Sequence, residues 1–418
     1  MQNQRGMSVT EIGGKVEPGF EGVAEAFARN FAEHGEIGAA TSVYVGGRKV
    51  VDIWGGVADA DAGTPYTEDT LQLVFSTTKG ATAACANLLA QRGELDIDAP
   101  VATYWPEFKA AGKEDIPVRW LLCHKAGLPY VDATVTLEET LAWDPVIRAL
   151  EAQAPVWEPG TAHGYHATTY GWLVGELVRR VSGKSVGTFF AEEIAAPLDL
   201  EFWIGLPDEQ QHRVAPLITF ARPTDPAMAE LMEQFMGPDT MLGKALSAPS
   251  MVFTETEGVW NLPEVRAAEI PAANGVTNAR SLARFYAGLS GTVEGGPAEP
   301  LLTADQVAKA SERQTTGPDK VLMLETTFGL GFFVASDMAR YGGTASFGHT
   351  GAGGSVGFTD PENGIGFGYV MNRMLQGLTG DPRSAGLIGA VYDAIGVTPP
   401  TSDARRRRAT RPVRCRLS

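Results

Sequence analysis

The sequence predicts an α+β fold, an α/β sandwich in which an antiparallel sheet is formed by both chain ends and flanked by helices. Strand-like alternation of apolar residues occurs near the N-terminus, in "AATSVYVGGRKVVDIWGGVAD". It returns near the C-terminus, in "FGLGFFVAS", "ASFGHTGAGGSVGF" and "GIGFGYVMN". Segments with helical spacing lie between these two regions, so we expect one shared sheet with a mostly helical insertion.

The elements follow in order along the chain. Residues 17–34 space apolar side chains at helical intervals and predict an amphipathic first helix. A β-hairpin follows, with its turn at Gly46-Gly47. Helical runs begin with "TTKGATAACANLLAQRG" and fill residues 136–195. Residues 200–275 are rich in Pro, Gly and Met without a clear period, which predicts loops and short helices over a cleft; "SAGLIGAVYDAIG" predicts a last helix.

These patterns predict one folded domain over residues 8–398, made of two parts. Residues 8–95 and 278–398 form the α/β part, and residues 96–277 form the helical and loop part. The remaining residues, 399–418, contain seven arginines and one aspartate. This basic composition predicts a disordered tail that either binds an acidic partner or folds back on the acidic body.

The composition argues against several classes of function. A formal net charge of -16 opposes binding to nucleic acid or to an anionic membrane surface, and small neutral substrates fit better. The N-terminus has no apolar leader and no apolar run is long enough to cross a bilayer, so we expect a soluble cytoplasmic protein. The three cysteines, Cys85, Cys123 and Cys415, form no C-x-x-C pair, which argues against a disulfide framework or a zinc site. The oligomeric state is not indicated.

One pentapeptide, Gly353 to Gly357, fits the G-x-S-x-G pattern that surrounds the reactive serine of α/β-hydrolases. In those enzymes a helix follows the serine, and the acid and histidine of the triad come later in the chain. The residues after Ser355 instead predict a strand, a turn and a second strand. The last histidine, His349, precedes the serine. We therefore interpret the motif as a glycine-rich strand beside a ligand site.

A better candidate nucleophile lies in Ser76-Thr77-Thr78-Lys79, the one S-x-x-K sequence in the chain. It follows a strand-like run and begins a helix, so Ser76 and Lys79 share a helical face. A lysine can take the serine proton if burial and the positive end of a helix lower its pKa. The same helix end would point the Ser76 N–H at a developing oxyanion. The alternative is an ordinary serine at a helix start.

Further blocks support the S-x-x-K interpretation. Taken in order, "LVFSTTKG", "LLCHKAGLP", "PGTAHGYHATTYGWLVGELVRRVSGKS" and "FGHTGAGG" resemble the serine β-lactamase and penicillin-binding-protein superfamily, and most nearly family VIII carboxylesterases. The matching blocks extend from about residue 39 to 372. The resemblance implies a β-lactamase/transpeptidase-like fold and a carboxylesterase that works through a serine acyl-enzyme without a cofactor.

The resemblance also implies a role for each residue that matches a family motif. Ser76 would be the acylated nucleophile and Lys79 its proton partner. Tyr165 would pass a proton to the leaving group and activate the deacylating water, with Tyr170 as the alternative if the register differs. The backbone N–H groups of Ser76 and Ala352 would form the oxyanion hole.

Two departures from the family pattern point to the substrate. His349-Thr350-Gly351 stands where the family has Lys-Thr-Gly on the strand that lines the substrate cleft. An unperturbed histidine is mostly neutral at pH 7, so the fixed positive charge that the family's lysine offers to a substrate carboxylate is weakened. Ala167 stands where lactamases have the asparagine of Tyr-x-Asn. Both losses disfavour β-lactams and peptidoglycan-like acids but leave the acyl-transfer residues intact. The expected substrate is a small, uncharged, short-chain ester.

Several alternatives remain open from the sequence. The same scaffold supports a β-lactamase, a D-aminopeptidase, an acyltransferase or a catalytically silent sensor. His163 and His166 form H-x-x-H and could hold a metal in a metallohydrolase, but no third ligand is evident and we expect no metal. Trp172, Trp203 and Trp260 either line an acyl pocket or belong to the core.

Overall fold

The computed structural model describes residues 10–220, 224–250, 258–377 and 380–398. Its strands are β1 Ile12–Val16, β2 Gly38–Val45, β3 Arg48–Asp59, β4 Thr64–Pro65, β5 Gln72–Leu73, β6 Phe202–Trp203, β7 Val276–Thr277, β8 Thr315–Pro318, β9 Glu325–Phe328, β10 Phe333–Val334, β11 Phe347–Thr350, β12 Val356–Asp360 and β13 Ile365–Met371.

The helices are α1 Glu21–Glu33, α2 Thr78–Gln91, α3 Val118–Leu122, α4 Leu137–Leu141, α5 Asp144–Ala152, α6 Thr169–Ser182, α7 Val186–Phe190, α8 Ala196–Leu198, α9 Pro226–Met236, α10 Met241–Ser247, α11 Pro263–Ala267, α12 Ala279–Ser290, α13 Ala304–Ser311 and α14 Pro382–Ala394. A π-helical turn, Ala191–Ala195, joins α7 to α8. The predicted first and last helices are confirmed. The predicted helical segment 136–195 is mostly helical, with its longest interruption at residues 153–168, which form turns and irregular backbone and include Tyr165.

Strands from both ends of the chain share one sheet. Within the described residues, ten strands join it in the order β1-β3-β2-β13-β12-β11-β10-β9-β8, with β4 paired to β3. The two ends meet where β2 pairs with β13 in antiparallel register. The predicted hairpin joins β2 to β3, and its turn residues Gly46 and Gly47 have φ values of 57° and 78°. Such left-handed conformations favour glycine and fit a two-residue hairpin turn.

Helices pack on both faces of the sheet. In β13 glycine alternates with aromatic residues, so the glycines lie on one face and the aromatic rings on the other. Gly366 and Gly368 face α12, and a Cβ added to Gly368 would lie 2.5 Å from the Ala279 carbonyl oxygen. Phe367 and Tyr369 point the other way and pack in the cluster formed with α1 and α14. This arrangement confirms the mixed α+β fold class predicted from the sequence.

The helical part of the molecule packs around α2, whose residues from Thr78 to Leu89 are all buried. The alanine-rich sequence of α2 fits this position, since α6 and α7 approach it closely. The described residues within 200–275 form short helices and loops, as predicted. A small second sheet, β5-β7-β6, lies outside the main one.

Three remaining predictions concern the extent of the fold. The boundaries 95/96 and 277/278 between the two parts stay a prediction. The basic tail, 399–418, lies outside the described residues. Across the ranges that the structure describes, no helix has the length and apolarity needed to cross a membrane.

Candidate active site

Ser76 lies at the start of α2, in a 3₁₀ turn that spans Phe75–Thr77. From Leu71 to Leu89 every residue is buried except Ser76, which is half-buried. Phe75 has a φ of 44°, in the left-handed region that bulky residues rarely adopt. The backbone therefore turns sharply here and brings one serine to an accessible position in an otherwise buried segment.

Lys79 lies one helical turn beyond Ser76 and is fully buried. Its Nζ is 3.0 Å from Ser76 Oγ, 2.6 Å from the Ala167 carbonyl oxygen and 3.0 Å from the Ala272 carbonyl oxygen. Burial holds the pKa of Lys79 well below its usual value. No salt bridge in the described part of the chain involves Lys79, so only hydrogen bonds to uncharged groups offset the cost of burying its charge.

Tyr165 packs beside Lys79, whose Nζ is 4.8 Å from the centre of the tyrosine ring. Burial raises the pKa of Tyr165, and a hydrogen bond with Ser76 opposes part of that rise. Tyr170, the alternative from the sequence, lies in α6 with a buried hydroxyl that has no hydrogen-bond partner among the described residues. Of the two tyrosines, Tyr165 is the one that reaches Ser76.

Asp319, which the sequence analysis missed, holds the backbone at Tyr165. It is buried, and its Oδ1 accepts hydrogen bonds from the N–H groups of Tyr165 at 3.0 Å and of Val321 and Leu322 at 2.8 Å each. Its Oδ2 accepts from Thr326 Oγ1 at 3.1 Å. The carboxylate thus ties the β8–β9 turn to the segment that carries Tyr165.

The strand β11 and the turn after it form the opposite wall. His349 is buried on β11, and its Nδ1–H donates to the Thr350 carbonyl oxygen at 2.7 Å. Burial lowers the pKa of His349 well below its usual value, which favours the uncharged ring. Ala352, partly exposed, lies in the turn that follows Gly351.

A cavity of about 190 Å³ borders this wall, lined in part by Thr350 and Gly351. Ser76, Lys79 and Tyr165 do not line it. We therefore place no acyl group of the substrate in this cavity.

The two histidines of H-x-x-H bind separate protein partners. His166 donates from Nδ1 to the Gly164 carbonyl oxygen at 2.7 Å and accepts at Nε2 from the Leu128 N–H at 2.9 Å, so both its nitrogens are engaged. His163 Nε2 lies 2.8 Å from Thr326 Oγ1. Over the described ranges no group of three or more His, Cys, Asp or Glu residues is placed to hold a metal ion.

The three tryptophans occupy different environments. Trp172 is fully buried in the core. Trp203 and Trp260 are half-buried. The Trp260 ring lies 5.2 Å from that of Phe75, edge to face. Trp260 is therefore the tryptophan that packs directly beside the residue preceding Ser76.

Comparison with known proteins places this geometry in a family. Residues 23–390 match the family model described as Beta-lactamase. The chain belongs to the Beta-lactamase family. It is 37% identical over 399 residues to Esterase/beta-lactamase LipL of Mycobacterium tuberculosis (strain ATCC 25618 / H37Rv), covering 91% of this chain and 87% of that protein.

Solved structures of this family agree with the fold. A family VIII carboxylesterase is 38% identical with a TM-score of 0.80, covering 92% of this chain and 100% of its own. EstA from Arthrobacter nitroguajacolicus Rue61a is 34% identical with a TM-score of 0.81, covering 93% of this chain and 99% of EstA. A penicillin-binding-protein homolog from Caulobacter crescentus is 39% identical with a TM-score of 0.82, covering 92% of this chain and 100% of the homolog. The predicted superfamily, its fold and its family VIII carboxylesterase branch are confirmed.

Proposed function

We propose that this protein hydrolyses small, uncharged, short-chain carboxylic esters through an acyl-enzyme on Ser76. The observation that carries the proposal is the set of partners around Lys79. An uncharged lysine amine has two N–H groups and one lone pair. The carbonyl oxygens of Ala167 and Ala272 can only accept, so they take the two N–H groups. The lone pair is then left for the Ser76 hydroxyl, 3.0 Å away, which is the arrangement that a general base requires.

The catalytic cycle follows from these positions. Ser76 Oγ attacks the ester carbonyl carbon and its proton passes to Lys79. The negative oxygen that forms is held by the N–H groups of Ser76 and Ala352. Tyr165, kept protonated by burial, donates its proton to the departing alcohol and regains one from Lys79. A water molecule then gives a proton to the same pair and attacks the acyl carbon. The bond between that carbon and Ser76 Oγ breaks, the carboxylic acid leaves, and the pair returns the proton to Ser76.

The lining of the site supports uncharged substrates. A neutral His349 supplies no fixed charge for a substrate carboxylate, and Ala167 supplies no side-chain amide for an acylamino group. Aromatic rings pack next to residues of the site, with Phe333 4.6 Å from the His349 ring and Trp260 5.2 Å from the Phe75 ring, and we take them as walls of the acyl site. These walls favour short acyl chains. The relatives named as esterases are in line with this substrate class. The 37% identical relative is named both esterase and β-lactamase, so β-lactam hydrolysis is the second candidate.

Covalent labelling tests the nucleophile and its base together. We expect a fluorophosphonate to label the peptide that contains Ser76, and Lys79→Met to slow that labelling at least about 100-fold because the base is lost. The labelled peptide is mapped by mass spectrometry.

Lys113→Met is the matched control for this experiment. Lys113 is also buried and also donates to two carbonyl oxygens, those of Glu151 at 2.9 Å and Gln153 at 2.6 Å. Its loss should leave the labelling rate unchanged. A label on Ser355, or an unlabelled protein, would contradict the mechanism, and the second outcome would favour a silent sensor.

Substrate preference separates the two hydrolase candidates. We expect kcat/KM for nitrophenyl acetate and butyrate to exceed that for nitrocefin at least about 100-fold, because the groups that bind an acylamino acid are missing. The same series should decline from butyrate to decanoate. A preference for nitrocefin would establish the β-lactamase alternative, and a rise toward decanoate would reject the short-chain limit.

A further inference from the structure

Ser355, the serine of the G-x-S-x-G motif, links the two turns that carry the proposed oxyanion donors. It is fully buried, and its Oγ lies 2.8 Å from the Val74 carbonyl oxygen and 3.1 Å from Thr77 Oγ1. A serine hydroxyl has one proton, and a carbonyl oxygen can only accept. Ser355 therefore donates to Val74, and Thr77 donates to Ser355. Val74 and Thr77 bracket Ser76 on both sides.

The turn that contains Ala352 is fixed at the same point. The Gly351 N–H donates to the Ser355 carbonyl oxygen at 2.7 Å, which closes the backbone around Ala352. A Cβ added to Gly351 would lie 2.2 Å from Ser355 Oγ and 2.2 Å from the Val74 carbonyl oxygen. The two turns thus meet backbone to backbone, with the Ser355 hydroxyl bonded across the contact.

We propose that the Ser355 hydroxyl is a positioning group that sets the separation between the two oxyanion donors, the N–H groups of Ser76 and Ala352. This inference rests on the proposed function, since it requires that oxyanion hole. The negative oxygen exists only in the tetrahedral states of acylation and deacylation. Loss of the Ser355 hydroxyl should therefore lower kcat and leave ground-state ester binding unchanged.

The test replaces Ser355 with alanine and compares two measurements. Ser355→Ala should lower kcat for nitrophenyl butyrate about 10- to 100-fold and change KM less than about 2-fold. The expected decrease in kcat is smaller than the decrease on deleting a donor, because the two N–H groups remain but are misplaced. Affinity for butylboronic acid, which forms a tetrahedral anion on an active serine, should fall by a similar factor. Thr77→Val removes one of the two bonds and should lower kcat about 3- to 10-fold, again without a change in KM.

Ser42→Ala is the matched control, because Ser42 is a buried serine of β2 whose hydroxyl also donates to a backbone carbonyl oxygen, that of Val51 at 2.9 Å. It should leave kcat and boronate affinity unchanged. Values for Ser355→Ala equal to those of Ser42→Ala, or an effect confined to KM, would overturn the inference. If Ser355→Ala does not fold, an unchanged kcat in Thr77→Val overturns it.

Ser76→Ala separates this inference from the proposed function on which it rests. Full turnover by Ser76→Ala would mean that the proposed function itself has failed. An inactive Ser76→Ala together with a fully active Ser355→Ala would reject only the positioning role.

Discussion

Replacing Ser76 with alanine is expected to lower kcat for nitrophenyl acetate at least about 10⁴-fold, because the oxyanion donors and binding groups alone retain little catalysis once the nucleophile is gone. The change should not unfold the protein. Ser76 is the half-buried residue of a buried segment, and Lys79 keeps its bonds to the Ala167 and Ala272 carbonyl oxygens. Steady-state kinetics and a thermal unfolding curve measure the two effects separately.

The expected intermediate gives this experiment a second readout. The unmodified protein, mixed rapidly with nitrophenyl butyrate and quenched in acid, should carry a butyryl group on the peptide with Ser76. Ser76→Ala should carry none, and Ser42→Ala should behave as the unmodified protein. Activity above a tenth of normal in Ser76→Ala, or an acyl group on another serine, would show that the nucleophile lies elsewhere.

The parts of the site that could be predicted from sequence are those set by local geometry or by a motif. Ser76 and Lys79 are three residues apart at a helix start, so their proximity follows from helical spacing. Tyr165 required the family resemblance, since no local pattern connects it to a serine so far away. Asp319 could not be found in either way. It bonds to the backbone of a residue 154 positions earlier, and "GPDK" resembles a surface turn.

The missing asparagine shows a similar limit. The sequence shows that Ala167 lacks a side-chain amide, but not that its carbonyl oxygen receives Lys79 at 2.6 Å. That contact depends on how the backbone is oriented, which residue identity does not determine.

The fold shows the same division between local and distant order. The hairpin turn at Gly46-Gly47 and the first helix follow from local patterns, and both were predicted. The order of strands in the sheet was not, because alternation indicates a strand but not its neighbour. Strands of two to four residues, such as β6 and β8, are too short to show a period.

The largest effect on stability is expected at Arg383, a fully buried arginine that links α14 to the sheet. Its Nη1 lies 3.0 Å from Glu36 Oε1, and its Nη2 lies 2.7 Å from Asp381 Oδ2 and 2.6 Å from the Gly353 carbonyl oxygen. Tyr369 donates to the other oxygen of Glu36. Arg383→Met should lower the free energy of unfolding by about 3–5 kcal/mol, because it leaves buried acceptors without their donor. Urea unfolding measures the change.

Arg280→Met is the control for Arg383→Met. Arg280 pairs with Asp52 at 2.9 Å but is 30% exposed, so its loss should cost less than about 1 kcal/mol. A cost for Arg383→Met no larger than that of Arg280→Met would contradict the prediction.

The loss at Arg383 should also depend on pH. Burial raises the pKa of Glu36 from 4.5 to about 7, and Arg383 opposes that rise. A carboxyl with a raised pKa binds its proton more tightly in the folded state, so its contribution to stability is present at low pH and is lost as the pH rises from 4.5 through 7. Without Arg383 the pKa of Glu36 rises further, so the free energy of unfolding keeps falling to higher pH.

The decrease in the free energy of unfolding caused by Arg383→Met should therefore be greater at pH 8 than at pH 5. Adding Glu36→Gln should remove that difference because the amide does not ionise. An equal change in the free energy of unfolding at both pH values would show that Glu36 is not the buried group that loses its partner in Arg383→Met.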